Sequence, residues 1–123
     1  MTVVPGLRVP ILVAPMFLIS GVEMVVEAAL SGVLGAFPAP NCRTVSDLDR
    51  WMEQISARVD GRPWALNMIT HATNARLGDE LSLIAKYRPS VILTALGSPA
   101  PVVATAQAYG GIVLADVPTV GLA

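Results

Sequence analysis

His71 is the only histidine and Cys42 the only cysteine in this chain. Nine carboxylate side chains are scattered with no pairing that suits acid–base work. No cluster of metal-ligating residues and no nucleophile–base arrangement is present, and neither is a G-x-G-x-x-G fingerprint or a Walker A loop. A lone loop histidine is read as solvated or hydrogen-bonded before it is read as a general base, so contact with a substrate is the candidate functional role of His71. Cys42 has no base beside it and no second cysteine to pair with, and is read as a packed thiol. What remains is a set of rigid, small or amide groups, Ala14, Pro15, Met16 and Asn67, with the carboxylate of Asp116. Such groups can orient a cofactor that performs the hard chemistry itself.

The elements that must position these residues are set by five apolar runs: Ile11–Ala14, Val33–Phe37, Trp64–Ile69, Val91–Ala95 and Ile112–Ala115. Each is nearly continuous in apolar character rather than alternating, which predicts strands of a parallel sheet covered on both faces. The intervening segments carry helix signals. Ser20 with Glu23 has capping-box spacing, and Gly32 is placed to end the helix after it. Thr44 with Asp47 marks a second cap, with Val45, Leu48, Met52, Ile55 and Val59 beyond it at spacings of three and four. Leu77, Leu81 and Ile84 mark a third helix before Pro89. Ser98-Pro99 opens a fourth, which Gly110-Gly111 stops.

The order is therefore β-α-β-α-β-α-β-α-β, with the strands side by side in sequence order. A doubly wound sheet and a (β/α)8 barrel both begin this way, and the runs alone do not separate them. In either, ligands bind at the carboxyl ends of the strands. Those ends hold Ala14-Pro15-Met16, Pro38-Ala39-Pro40-Asn41, Asn67 through His71, Thr94 through Pro99, and Asp116. Met16 either contacts a ligand or fills the core. Asn67, inside an apolar strand, needs a hydrogen-bond partner, either a ligand or a neighbouring loop. Asp116 is read as the cap of the next helix before it is read as a substrate-orienting group. Trp51 and Trp64 are packing residues.

Eight Lys+Arg against nine Asp+Glu give a net charge of −1 with no basic stripe, which leaves nucleic-acid binding without an electrostatic footprint. The chain is 54% hydrophobic and 14% charged, too apolar for disorder. The uncharged stretch from Pro89 to Ala115 could cross a bilayer by length, but Gly97, Pro99, Pro101, Gly110 and Gly111 divide it into buried elements. With no signal peptide or membrane anchor recognisable, a soluble cytoplasmic protein is expected.

Pro10-Ile11-Leu12-Val13-Ala14-Pro15-Met16 resembles the opening strand of the nitronate monooxygenase (2-nitropropane dioxygenase) family. Further segments match in the family's order: Ser31 to Phe37, Asn67-Met68-Ile69-Thr70-His71, Leu96-Gly97-Ser98-Pro99, and Asp116-Val117-Pro118-Thr119-Val120. The resemblance covers nearly the whole chain and implies a fold class: a partial (β/α)8 TIM barrel. Residues 1–123 would form its first four βα units plus a fifth strand, the N-terminal part of a single FMN-binding domain. It further implies FMN as cofactor, with Ala14, Pro15 and Met16 against the flavin ring and Asn67 hydrogen-bonded to it. The family's catalytic histidine comes after a Gly-Gly pair in a later strand, and its phosphate-binding loops come later still. Here Gly110-Gly111 is succeeded by Ile112, so the chain stops before that site is complete.

The function implied is oxidation of alkyl nitronates with molecular oxygen. A flavin-dependent enoyl-acyl carrier protein reductase is the alternative enzyme, separable by NAD(P)H oxidation with an enoyl thioester. A non-catalytic half-barrel is the alternative of another class. Its unpaired edges predict self-association, against which a monodisperse monomer in light scattering would count.

Overall fold

The computed structural model describes residues 3–123. In chain order it contains β1 (Leu12–Val13), α1 (Val22–Ser31), β2 (Leu34–Pro38), a 3-10 turn at Ala39–Asn41 and α2 (Val45–Arg58). Next come β3 (Trp64–Ile69), α3 (Leu77–Tyr87), β4 (Val91–Ala95), α4 (Ala100–Gln107), β5 (Ile112–Ala115) and a 3-10 turn at Val120–Leu122. The fold is α/β, with one five-stranded sheet in the order β1-β2-β3-β4-β5. Every neighbouring pair is parallel. The last three strands coincide with their apolar runs, and β2 is displaced by one residue. β1 contracts to two residues, bounded by Pro10 and Pro15, whose nitrogens carry no hydrogen for a ladder.

All four helices lie in a single layer. One apolar cluster joins Val25 and Val26 of α1, Leu48, Met52 and Ile55 of α2, Leu83 and Ile84 of α3, and Val102 and Ala106 of α4. It includes Phe37, Leu66, Met68 and Ile92 from the sheet. The stripe read on α2 is this contact: Leu48, Met52, Ile55 and the adjoining Val59 are buried, with Val45 partly so. Trp64 is buried in the same cluster, and Trp51 packs on it with its ring centroid 5.5 Å from that of Phe37. Gly35 permits α1 to lie directly on β2, since a Cβ there would fall 2.8 Å from the Cα of Val25.

The opposite face of the sheet carries Leu34, Ala36, Ala65 and Val91, covered at one end by Val4 and Leu7 of the N-terminal segment. Beyond that cover it is open, and Leu12 and Leu114 are exposed. This corrects the expectation of strands covered on both faces, which holds for the fully buried β2 but not for β1 or β5. Their apolar character reflects a face without a partner among the described residues.

Helix termini obey the expected chemistry at two places. Thr44 Oγ1 accepts a hydrogen bond from the Asp47 amide at 3.0 Å, and Gly32 takes the left-handed conformation (φ 87°) that ends α1. At the start of α1 the expectation fails. Gly21 is the N-cap and no side chain caps it. The Ser20 hydroxyl turns back instead, accepting from the Met16 amide at 2.8 Å. Ser98 Oγ accepts from the Ala100 amide at 3.2 Å, and α4 ends ahead of Gly110, whose φ is 82°. Among the described residues, no helix is long and apolar enough to cross a membrane.

Candidate functional site at the carboxyl ends of the strands

The carboxyl end of the open face forms a concavity of about 440 Å3. Pro15 lies just past β1, Asn67 comes from β3, Leu93 and Ala95 from β4, and Leu114 and Asp116 from β5 and its end. Asn67 pairs in register with Leu93, and its Nδ2 donates to the Leu93 carbonyl at 3.1 Å. Half of the amide is thereby satisfied by the adjacent strand, where a neighbouring loop was the alternative to a ligand. The Oδ1 accepts no hydrogen bond from the described residues and remains available to a donor.

Of the residues singled out by sequence, Pro15, Asn67 and Asp116 share this concavity. Ala14 and Met16 are exposed on the segment leading away from it, and neither lines it. His71 is exposed on the loop after β3 and lines no concavity with Asn67. Its Nδ1 accepts from the Thr73 amide at 3.2 Å and lies 2.9 Å from Thr73 Oγ1. An amide donor at Nδ1 places the neutral ring's proton on Nε2. The loop itself is held against the next one by Gly97, where a Cβ would lie 2.8 Å from the Thr70 carbonyl carbon.

Asp116 corrects its expected role. Its amide donates to the Thr94 carbonyl at 2.8 Å, and its carboxylate caps no helix. The next turn, Val120–Leu122, has Thr119 before it and no side-chain cap. Asp116 instead lines both this concavity and a second one of about 480 Å3 beside it.

Neither a protein-family model nor a curated protein matches the chain. The chemistry of the site therefore rests on its own geometry.

Two further side-chain systems brace the ends of the strands. Asn41, at the end of the turn after β2, pins the segment after β1. Its Nδ2 donates to the carbonyls of Met16 (3.1 Å) and Ser20 (2.8 Å), and its Oδ1 accepts from the Leu18 amide at 2.8 Å. This clamp holds Leu18 at φ 61°, a conformation costly for a branched side chain, and leaves Phe17, Leu18 and Ile19 exposed. Asn41→Ala is expected to cost about 1–2 kcal/mol, because the hydrogen bonds and the order of the loop are lost together. It should also speed amide hydrogen exchange across residues 16–20 more than elsewhere, as peptide-resolved exchange would read. Unchanged exchange there would mean that the clamp does not hold the loop.

The second system surrounds Glu80, which is only 3% exposed on α3. Asn74 Nδ2 donates to its Oε2 at 3.0 Å, and Arg76 Nη2 lies 3.3 Å from its Oε1. Asn74 also reaches the Ile69 carbonyl at the end of β3, and Arg76 Nη1 reaches the Cys42 carbonyl after β2 at 2.8 Å. Arg76 Nε is buried without a hydrogen-bond partner. The signal that could have found Glu80 is its position three residues after Leu77 and four before Ile84, a charge set within an apolar stripe. Cys42 beside it is buried. Burial, reinforced by the nearby Asp47 carboxylate, pushes its thiol up to about 12, so it is protonated at neutral pH and inert as a nucleophile. Among the described residues, no group of three His, Cys, Asp or Glu is set to hold a metal ion.

Proposed function

We propose that this chain forms the first five strands of a (β/α)8 barrel of nitronate monooxygenase type, and that the concavity at Pro15 and Asn67 receives the ring of FMN. The observation that carries the reading is the sequential five-stranded parallel sheet with every helix on one face. A doubly wound sheet reverses its strand order and has helices on both faces. A sheet that grows in one direction under a single helical layer leaves its other face to line the inside of a barrel. The open face, with Leu12 on one edge strand and Leu114 on the other, suits that closure. The same open edges support the association expected of a half-barrel, through a partner chain or a second copy.

The lining suits a flat, largely apolar ring with hydrogen-bonding edges. Ala95 leaves room for close approach, Leu93 and Leu114 supply apolar contact, and Pro15 a rigid wall. Asn67 Oδ1 would accept from a ring N–H while Nδ2 stays fixed by Leu93. No lysine or arginine lines this concavity, so a phosphate would have to be held from outside it. Bound flavin would supply electron transfer from substrate to oxygen. The chain's own groups would orient the ring and exclude water, with a small alkyl nitronate as the substrate of the reading.

Titration of FMN with the 123-residue chain, monitored by flavin fluorescence, tests the proposal. Saturable binding is expected, weakened about tenfold by Asn67→Leu, the loss of roughly one hydrogen bond in a partly dry site. Absence of saturable binding to the folded chain, or equal binding by the variant, would overturn the assignment. Oxidation of NAD(P)H with an enoyl thioester, with no turnover of nitronates, would move the reading to the enoyl-reductase type.

A further inference from the structure

The second concavity, of about 480 Å3, lies between the loop after β4 and the segment after β5. Leu96, Pro99, Val117, Pro118 and Leu122 make its walls apolar, and Asp116 is the only charged residue lining either this space or its neighbour. The Asp116 carboxylate has neither an ion pair nor a hydrogen bond among the described residues. Its backbone is fixed by the amide bond to Thr94 at 2.8 Å. Pro99 and Pro118 have fixed φ, and Gly97 seats the β4 loop against Thr70 at a distance no other residue allows.

We propose that this concavity binds a small amphiphilic cation, an alkylammonium-type ligand with its charged head on Asp116 and its apolar chain between Leu96, Pro118 and Leu122. Walls and carboxylate point to this ligand independently. The walls favour an apolar body because its burial displaces water from apolar surface. The carboxylate, exposed and unpaired among the described residues, favours a positive head by direct, solvent-screened attraction at the rim of the apolar walls. An anionic head at the same place is repelled. None of the wall residues is assigned to the flavin ring, but Asp116 also lines that concavity, so the cation site is tested on the flavin-free chain.

The probes are n-hexylammonium, n-hexanol and hexanoate, titrated into the flavin-free chain by calorimetry at neutral pH. The chain should bind n-hexylammonium about fivefold more tightly than n-hexanol, with hexanoate weakest. Asp116→Asn should abolish the preference for the amine while leaving n-hexanol binding unchanged. Asp79→Asn makes the same change in net charge on the exposed first turn of α3 and should keep the preference. Leu96→Asn should weaken all three probes alike without unfolding the loop, because asparagine tolerates the left-handed conformation found there (φ 59°). Equal binding of amine and alcohol by the unaltered chain, a preference that survives Asp116→Asn, or no binding of any probe would each overturn the proposal. Circular dichroism of each variant establishes that it is folded.

Discussion

Arg76→Met is expected to destabilise the fold by about 3–5 kcal/mol, the cost of leaving a buried charge without its partner. Glu80 is 3% exposed and has two partners in reach, the Arg76 guanidinium at 3.3 Å and the Asn74 amide at 3.0 Å. Methionine keeps much of the length and apolar stem of arginine but none of its charge, so Glu80 would retain one neutral donor. The bond from Arg76 Nη1 to the Cys42 carbonyl, which ties α3 to the end of β2, would go as well. Urea denaturation should show a lower midpoint with an unchanged slope. The double variant Arg76→Met with Glu80→Leu should recover most of the loss, since replacing both members of a buried pair by apolar groups is often neutral. A loss below about 1 kcal/mol for the single variant would class Arg76 with ordinary surface cations.

Phe37→Ala should be similarly severe, at about 3–5 kcal/mol, for a reason unrelated to charge. Phe37 is fully buried on β2 and belongs to the cluster that joins all four helices to the sheet. Its removal leaves a cavity that rigid neighbours fill only in part. Trp51 stands 5.5 Å away, ring to ring, and serves as a local reporter. Its emission should shift to the red as water gains access. Against a typical total stability of about 5–15 kcal/mol, either variant should bring the chain close to unfolding at moderate temperature. A loss below about 1.5 kcal/mol for Phe37→Ala would mean that α1 and α2 close over the gap.

Much of the architecture was legible because it depends on local pattern. Trp64–Ile69, Val91–Ala95 and Ile112–Ala115 are apolar runs that became strands without change of boundary. The stripe from Val45 to Val59 described a helix face that packs as its spacing implies. The expected cap at Ser20 failed because the hydroxyl has a competing acceptor role. The Met16 amide, four residues back, takes it, and Gly21 begins the helix bare. Asn41 was legible only as a residue at a strand end, since its partners lie 21 to 25 positions away. No local rule links positions so distant. Glu80 did break a visible pattern, as an acid within an apolar stripe, but the spacing could not say that Asn74 and Arg76 would meet it. Asp116 was misjudged for a related reason. A cap needs a helix directly after it, and Asp116 leads only into a short turn opened by Thr119.

The order of the sheet also bears on how the chain reaches its fold during synthesis. Each strand pairs only with its immediate predecessor and successor, so Leu12 meets Leu34, Gly35 meets Trp64, Ala65 meets Val91 and Val91 meets Ile112. No strand waits on the ribosome for a distant partner. Each βα unit emerges next to a free edge made moments earlier, and its loop-closure cost stays nearly constant from one addition to the next. Such an order suits vectorial assembly, like a row extended at one end, in which each new strand is added to the edge the previous one left open.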